Sequence, residues 1–316
     1  MKGLNNRQNS GAIGRPVRIA SISFASGKSL QEIGDIVDRE GAKGVDLVAL
    51  PETWSGNADQ KDREAETLDG PTISATAVLA RKHHMYVVSP IDRQDRGLRL
   101  NSSVLLDREG QVVCVYDKVY PYWSEFDVQP IVCVGQEAPV YEADFGRIGM
   151  AVCFDVNFPE VWQRLADNGA ELVIWPSAYS AGTSLQSHAI NHHYYIVSTT
   201  QTVDCLAYDI TGREILYEKS NDVNITRLTL DLDRGIYHQN FNIDKRDSLL
   251  AEHSEDVVQE QWLDLEQWFV LQARKPGVSA RALAQEYGLE ELRDYLNRSR
   301  REIDKMRGWK FAAKTL

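Results

Sequence analysis

Short apolar runs alternate with amphipathic segments through the first three-quarters of the chain, and this alternation constrains the fold more than any other feature. Strand-helix alternation predicts parallel strand pairs, whereas the tight turns at Gly110 and Gly212 predict hairpins. A layered α/β protein with mixed sheets is therefore expected. The predicted strands are 17–24, 45–50, 86–91, 101–107, 112–116, 147–154, 172–175, 194–199, 206–210, 214–217 and 224–232, and the predicted helices are 29–40, 72–82, 159–167 and 184–193.

The sequence changes character near residue 244. Beyond it the chain carries as many basic as acidic residues, and apolar residues recur with helical spacing over 257–273 and 279–305. We therefore predict three regions, which are a disordered polar arm over 1–15, a main domain over 16–243 and a helical extension over 244–316.

Composition excludes several function classes. The net charge is -11 and the pI is near 5.2, which argues against a nucleic-acid partner. No apolar run approaches the length that spans a membrane, and residues 1–15 lack the apolar core of a signal peptide. Four cysteines in 316 residues fit a reduced, cytoplasmic protein better than a disulfide scaffold.

Three reactive residues each lie at or just after a predicted buried strand. They are Glu52, Lys118 and Cys153. Taken alone, the thiol fits a small buried hydrophobe, the carboxylate fits an exposed strand end, and the amine fits an ordinary surface lysine. Together they supply a base, a nucleophile and a cation for an oxyanion, which is the set that covalent acyl transfer requires.

The surroundings of these residues sharpen the hypothesis. Cys153 precedes a turn into a helix that begins at Pro159, so its sulfur is expected to be exposed beside the backbone N–H of Phe154. The dipole of that helix is expected to favour the thiolate. Burial of Glu52 is expected to raise its pKa and to make it a base near neutral pH.

These motifs resemble the nitrilase superfamily of carbon–nitrogen hydrolases over about residues 17–232. The most specific segment is DFGRIGMAVCFDVNFPE at 144–160, and the LPET segment at 50–53 and the DKV segment at 117–119 precede it in the family's order. The resemblance implies a four-layer α-β-β-α sandwich, here with a C-terminal helical extension. It also implies a homodimer or a higher homo-oligomer that needs no cofactor and no metal.

The resemblance further implies roles for particular residues. Glu52 would be the general base, Lys118 the oxyanion stabiliser and Cys153 the nucleophile. A second glutamate would orient the site, and Glu125 is the first candidate for it, with Glu137 as the competitor. Candidate substrate contacts are the aromatic residues near predicted strand ends and beside the nucleophile, namely Trp54, Tyr120, Phe154 and Tyr179.

Departures from the family pattern bear on the substrate. Many amidase-like members carry arginine where this chain has Asn157, so an acidic substrate is less expected. A small-molecule amide is the first expectation, an N-carbamoyl amino acid or amine the second, and a catalytically silent scaffold the third.

Two further patterns have simpler explanations. His188 and His192 have the spacing of metal ligands on a helix, but no third ligand is evident, and surface or interface histidines are the simpler interpretation. Residues 278–303 resemble a helix-turn-helix, and a basic cluster at its C-terminal end consists of Arg298, Arg300, Arg301 and Lys305, which would fit a DNA-binding role. The balanced charge of the C-terminal region instead favours an extension that packs a dimer or covers the site.

Overall fold

The computed structural model describes residues 12–55, 65–127 and 132–308. They form two compact units. One is Val17–Thr229, and the other contains the described residues from Leu230 onward together with those before Val17. Most of the predicted N-terminal arm lies outside the described residues, and the domain limits at 16–243 and 244–316 stay a prediction. Within the described ranges, no helix is long and apolar enough to cross a membrane.

The first unit consists of strands and helices that alternate along the chain, as predicted. Its elements are β1 (Pro16–Phe24), α1 (Leu30–Gly41), β2 (Leu47–Ala49), α2 (Pro71–His83), β3 (Tyr86–Asp95), β4 (Leu98–Leu106), β5 (Val112–Asp117), β6 (Val132–Cys133), β7 (Val140–Ala143), β8 (Gly146–Met150), α3 (Pro159–Asp167), β9 (Leu172–Ser177), α4 (Thr183–His192), β10 (Tyr195–Thr200), β11 (Asp204–Tyr208), β12 (Glu214–Lys219) and β13 (Val223–Asp231).

Two mixed sheets form the centre of this unit. The first has the order β13-β1-β2-β3-β4-β5, with β6 paired to β4, and the second has the order β12-β11-β10-β9-β8-β7. The sheets meet face to face, because the Ser21 hydroxyl donates to the carbonyl of Ser198 at 2.8 Å and the Thr199 hydroxyl donates to the carbonyl of Ile22 at 3.0 Å.

Helices cover the outer face of each sheet. Ile33 and Val37 of α1 are fully buried in one apolar cluster with Ile22 and Val48 of the first sheet, and α2 packs beside α1. On the second sheet, α3 packs against α4, which contacts β10 and β11. The order of layers is therefore α-β-β-α, and the predicted four-layer architecture is confirmed.

The second unit contains a feature that the sequence did not predict. Its elements are β14 (Gly235–His238), α5 (Ile243–Glu252), β15 (Val257–Leu263), β16 (Trp268–Ala273), α6 (Ala280–Glu286) and α7 (Leu292–Met306), with the strand order β14-β16-β15. The predicted helix over 257–273 is wrong, because this segment forms the antiparallel β15–β16 hairpin.

Packing explains why the hairpin forms. Phe269, Leu271 and Ala273 lie two residues apart on β16, and all three are buried in one cluster with Leu249 of α5 and Ala280 of α6. A spacing of two residues places side chains on one face of a strand, whereas a helix would spread them around its circumference. The predicted helix over 279–305 is likewise two helices, α6 and α7, and Gly288 lies between them with a φ of 71°.

Candidate active site

The candidate active site lies in the first unit, where ends of strands from both sheets converge. Glu52 follows β2, Lys118 follows β5 and Cys153 follows β8, and all three line one cavity of about 620 Å³. Hydrogen-bonded strands fix the backbone on the N-terminal side of each residue. The side chains therefore project from well-anchored positions, as a preorganised site requires.

Lys118 lies between two carboxylates. Its Nζ is 2.7 Å from Oε1 of Glu52 and 2.5 Å from Oε1 of Glu125. Only 1% of the Lys118 side chain is exposed, so solvent does not compete for its hydrogen bonds. The backbone N–H of Tyr122 donates to the same Glu125 oxygen at 2.8 Å. The structure thus brings Glu125 to the lysine, whereas Glu137 is exposed to solvent.

Neutral donors hold Glu52 from several sides. The Asn101 amide donates to Oε1 of Glu52 at 2.8 Å and to Oε2 of Glu125 at 2.9 Å, so one side chain connects both carboxylates. The backbone N–H of Ala178 donates to Oε2 of Glu52 at 2.8 Å, and the Gln201 amide donates to the Glu52 carbonyl at 2.6 Å. These bonds leave Glu52 little rotamer freedom.

Cys153 occupies a strained backbone position at the start of a short 3₁₀ helix that spans Cys153–Asn157. Its φ is +49°, in the left-handed region that residues with a Cβ seldom adopt. The indole N–H of Trp175 donates to the Cys153 carbonyl at 3.1 Å and helps to hold the turn. The sharp turn that was predicted at the nucleophile is therefore present.

A buried carboxylate, Asp155, stabilises this turn. It accepts hydrogen bonds from the Tyr116 hydroxyl at 2.6 Å, the Tyr120 N–H at 2.8 Å and the Val152 N–H at 2.9 Å. Burial raises the pKa of Asp155 to about 6, although the three donors oppose the shift. Asp155 thereby joins the segment that follows Lys118 to the segment that carries Cys153.

The pKa of Glu52 differs from the expected one. Burial acts to raise the pKa of Glu52, but the Lys118 ammonium and the hydrogen bonds from Lys118, Cys153 and Asn101 together outweigh it. The pKa of Glu52 is therefore lowered, and the expected raised value is wrong. Burial acts to lower the pKa of Lys118, and the charges of Glu52, Cys153 and Glu125 outweigh this and raise it.

The pKa of the Cys153 thiol also differs from the expected one. Burial raises the pKa of the Cys153 thiol, the Glu52 carboxylate adds to the increase, and Lys118 offsets only part of it. The expected stabilisation of the thiolate is therefore wrong, and the expected exposure of the sulfur is wrong as well, because Cys153 is only 5% exposed. The resting site combines a carboxylate, an ammonium and a neutral thiol.

The family model for carbon–nitrogen hydrolases matches residues 18–234 of this chain, which include every residue of the site described above. The chain belongs to the carbon–nitrogen hydrolase family. The resemblance to the nitrilase superfamily that the motifs showed is thus confirmed, and the protein is a carbon–nitrogen hydrolase.

Individual relatives agree with this assignment. The chain is 28% identical over 197 residues to a deaminated glutathione amidase of Synechocystis sp., a match that covers 55% of this chain and 72% of the relative. It is 32% identical over 154 residues to a beta-ureidopropionase of Arabidopsis thaliana, a match that covers 45% of this chain and 38% of the relative.

Solved structures share the fold of this hydrolase. An amidase of Nesterenkonia AN1 from the nitrilase superfamily has a TM-score of 0.63 at 19% identity, covering 77% of this chain and 99% of that one. Nit3 of Saccharomyces cerevisiae, a member of branch 10 of the superfamily, has a TM-score of 0.61 at 19% identity, covering 69% and 91%.

The four candidate substrate contacts of this hydrolase separate into two pairs. Phe154 and Tyr179 line the cavity. Trp54 is fully buried in the apolar core, where its ring packs edge-on against Phe24. The Tyr120 ring stacks on Phe158 at 3.7 Å between centroids. Trp54 and Tyr120 are therefore placed in packing positions and are absent from the described cavity lining.

The paired histidines are packing residues as well. His188 and His192 are buried on α4 instead of lying at the surface or at an interface as expected. The His188 ring stacks on Trp162 at 4.3 Å, and its Nε2 lies 2.8 Å from the Val156 carbonyl oxygen. Among the described residues, no group of three or more His, Cys, Asp or Glu side chains could hold a metal ion.

Several residues of the site were not foreseen from the sequence. Asn101, Arg99 and Asp92 belong to strands β3 and β4, and Gln201 follows β10. One signal for the first two was available, because a strand that carries Arg99 and Asn101 two residues apart presents both on the same face. A charged residue and an amide on a face that is otherwise buried indicate a functional surface.

Proposed function

We propose that this protein hydrolyses the carbon–nitrogen bond of a small linear amide through a thioester with Cys153. The observation that supports the proposal is that Lys118 lies within hydrogen-bond distance of both Glu52 and Glu125, in the cavity that Cys153 also lines. The Glu52 carboxylate also raises the pKa of the Cys153 thiol, so the two groups interact, as a base and the thiol that it deprotonates must.

The first half of the reaction forms the acyl-enzyme. Glu52 takes the thiol proton as the sulfur of Cys153 attacks the amide carbon, so the thiolate forms only when substrate is bound. The oxyanion of the tetrahedral intermediate is stabilised by the Lys118 ammonium and the backbone N–H of Phe154. The intermediate collapses when the carbon–nitrogen bond breaks, and Glu52 returns the proton to the departing ammonia or amine.

The second half releases the acid. Glu52 removes a proton from water, and the hydroxide equivalent attacks the thioester carbon. Collapse of this second intermediate breaks the carbon–sulfur bond, and the proton on Glu52 restores the Cys153 thiol. Glu125 and Asn101 act as positioning residues here, because each contacts a catalytic side chain and neither needs to exchange a proton. The small-molecule substrate and the homodimer stay predictions.

Hydrolysis of an N-carbamoyl compound is the second candidate function. It uses the same attack on a carbonyl carbon next to nitrogen, and it is favoured by the 32% identity to a protein named beta-ureidopropionase. Both reactions need the same base, cation and thiol.

The test is ammonia release from a panel of primary amides, N-carbamoyl compounds and nitriles by the wild-type protein and by Cys153→Ala. We expect turnover of amides or carbamoyl compounds that Cys153→Ala abolishes. Cys114→Ala is the matched control, because Cys114 lies on β5 outside the cavity lining and burial raises the pKa of its thiol to about 11. Turnover that survives in Cys153→Ala would refute the mechanism.

A further inference from the structure

Asp204 is a buried carboxylate that the mechanism above does not use. It is the first residue of β11, it is only 2% exposed, and it is absent from the described cavity lining. Three hydroxyl groups donate to its carboxylate, those of Ser180, of Thr200 at 2.5 Å and of Thr202 at 3.0 Å. Burial of a carboxylate is costly unless donors replace the lost water, so these bonds hold the surrounding chain to Asp204.

The three hydroxyl groups come from two separate segments of the second sheet. Ser180 belongs to the segment that follows β9, whereas Thr200 ends β10 and Thr202 lies in the turn between β10 and β11. The Asp204 carboxylate accepts from the first segment through Oδ2 and from the second through Oδ1. It therefore fixes the two segments relative to each other.

The same two segments hold Glu52, the proposed base, which comes from the first sheet. The N–H of Ala178, in the segment after β9, donates to Oε2 of Glu52 at 2.8 Å. The side-chain amide of Gln201, in the turn after β10, donates to the Glu52 carbonyl at 2.6 Å. Asp204 thus joins two segments of one sheet that both bind the base delivered by the other.

The turn that carries Gln201 is strained, so it depends on bonds such as these. Val203 has a φ of +64°, in the left-handed region that a β-branched residue seldom adopts. Such a conformation persists only where the surrounding structure holds it. The N–H of Asp204, the next residue, donates to the Thr200 hydroxyl at 3.2 Å and spans the turn. Loss of the Asp204 carboxylate should therefore let the turn relax and move Gln201 away from Glu52.

We propose that Asp204 is a positioning residue that sets the orientation of the Glu52 carboxylate through the two segments that it joins. This inference rests on the proposed function and deepens it, because it says what aims the base. When the segments shift, Oε1 of Glu52 keeps its bonds to Lys118 and Asn101, but Oε2 is released and the carboxylate can turn. A misplacement of about 1 Å in a catalytic group can cost about 100-fold in rate.

Asp204→Asn tests the proposal, because asparagine keeps the shape but replaces one carboxylate oxygen by an amide nitrogen that cannot accept. The substrate is the amide or carbamoyl compound of the panel above that the wild-type protein hydrolyses fastest. We expect kcat to fall by about 10- to 100-fold while KM stays within about threefold, since the loss falls on the chemical steps. A wild-type kcat in Asp204→Asn, or a loss that lies in KM alone, would overturn the proposal.

Asp209→Asn is the matched control. Asp209 directly follows β11, is 1% exposed, and holds a turn of its own by accepting from the Thr211 hydroxyl at 2.6 Å and the Arg213 N–H at 3.0 Å. This turn joins β11 to β12 and is absent from the described cavity lining. Both variants should unfold at lower urea than the wild-type protein, but Asp209→Asn should keep kcat within about threefold. Equal losses of kcat in the two variants would show general destabilisation and contradict a positioning role.

A milder variant keeps the proposal testable if Asp204→Asn does not fold. Ser180→Ala removes one of the three donors and leaves the other two in place. We expect kcat to fall by about 3- to 10-fold, the loss that one net hydrogen bond predicts. Ser180→Thr restores a hydroxyl and should restore most of the rate. An unchanged kcat in Ser180→Ala, or the same loss in Ser180→Thr, would contradict the proposal.

Hydrogen exchange at the Ala178 N–H makes the test independent of turnover. NMR follows this proton, which Oε2 of Glu52 protects in the wild-type protein. We expect its exchange to be at least about tenfold faster in Asp204→Asn than in Asp209→Asn. If exchange and turnover are both unchanged in Asp204→Asn while Cys153→Ala is inactive, the positioning role is excluded and the proposed function stands. If no compound is hydrolysed, the proposed function fails, and exchange at Ala178 alone decides whether Asp204 holds this segment at Glu52.

Discussion

At the scale of single residues, the ionisation of the site supports the proposed role of Glu52 as the base. The thiol is protonated at rest because its pKa is raised, so attack requires a group that removes the proton. Glu52→Gln keeps an acceptor for the Ala178 N–H but cannot take a proton. We expect kcat/KM to fall by about 10²- to 10⁴-fold, and labelling of Cys153 by iodoacetamide to slow at pH 7.

A matched variant isolates this effect. Glu40 is another buried glutamate, paired with Arg227 and Lys43 on the outer helix α1. Glu40→Gln should leave kcat/KM within about threefold of the wild-type value. Equal activity of Glu52→Gln and the wild-type protein would show that another group accepts the proton.

Asp155 predicts a pH dependence of stability. Its pKa is raised to about 6 in the folded protein, chiefly by burial. An acid with a raised folded pKa favours folding fully below its unfolded pKa, and this contribution is lost as the pH rises through about 6. Relative to Asp155→Asn, the wild-type protein should lose about 2 kcal/mol of unfolding free energy between pH 4.5 and 7.5. Urea titrations of both proteins at both pH values measure this loss. A rise with pH in the unfolding free energy of the wild-type protein, relative to that of Asp155→Asn, would contradict the prediction.

At the scale of elements, helix α1 allows stability to be separated from catalysis. Ser29 and Glu32 form a capping box, in which the Ser29 hydroxyl accepts from the Glu32 N–H at 3.2 Å and Glu32 accepts from the Ser29 N–H at 2.8 Å. Ser29→Ala should lower the unfolding free energy by about 1 kcal/mol while kcat/KM stays unchanged. Urea unfolding beside steady-state kinetics checks both, and a fall in kcat/KM would show that α1 supports the site.

The helices and strands also show how much of the fold and of the candidate site could be predicted from the sequence. Glu52, Lys118 and Cys153 could be found because each follows a strand and stands out against its apolar neighbours. Asn101 and Arg99 were missed because they lie within a strand, where only pairing and burial reveal the face they share. The β15–β16 hairpin was missed because a short apolar run fits either period, and the packing of Phe269 against α5 and α6 decides between them.

At the scale of the whole molecule, the net charge predicts that the protein does not bind nucleic acid. The net charge of -11 opposes binding to a polyanion, although α7 carries several arginines. Arg298 is the first residue of the basic cluster, which also contains Arg300, Arg301 and Lys305, and it is paired with Glu290 at 2.7 Å. We expect no retention on DNA at 150 mM salt, a condition that basic DNA-binding domains tolerate. Salt-dependent retention would revive a regulatory role for residues 278–303.

The backbone at Cys153 links the reactive site to the durability of the protein. A side chain at a φ of +49° costs on the order of 1 kcal/mol, which glycine does not incur. Cys153→Gly should therefore unfold at higher urea than Cys153→Ala, although neither is active. A chain with glycine at position 153 would therefore avoid this strain but would lack the thiol. The residue that best suits this backbone has no side chain, whereas the proposed reaction needs a thiol, so stability and the proposed chemistry make opposite demands on this one position.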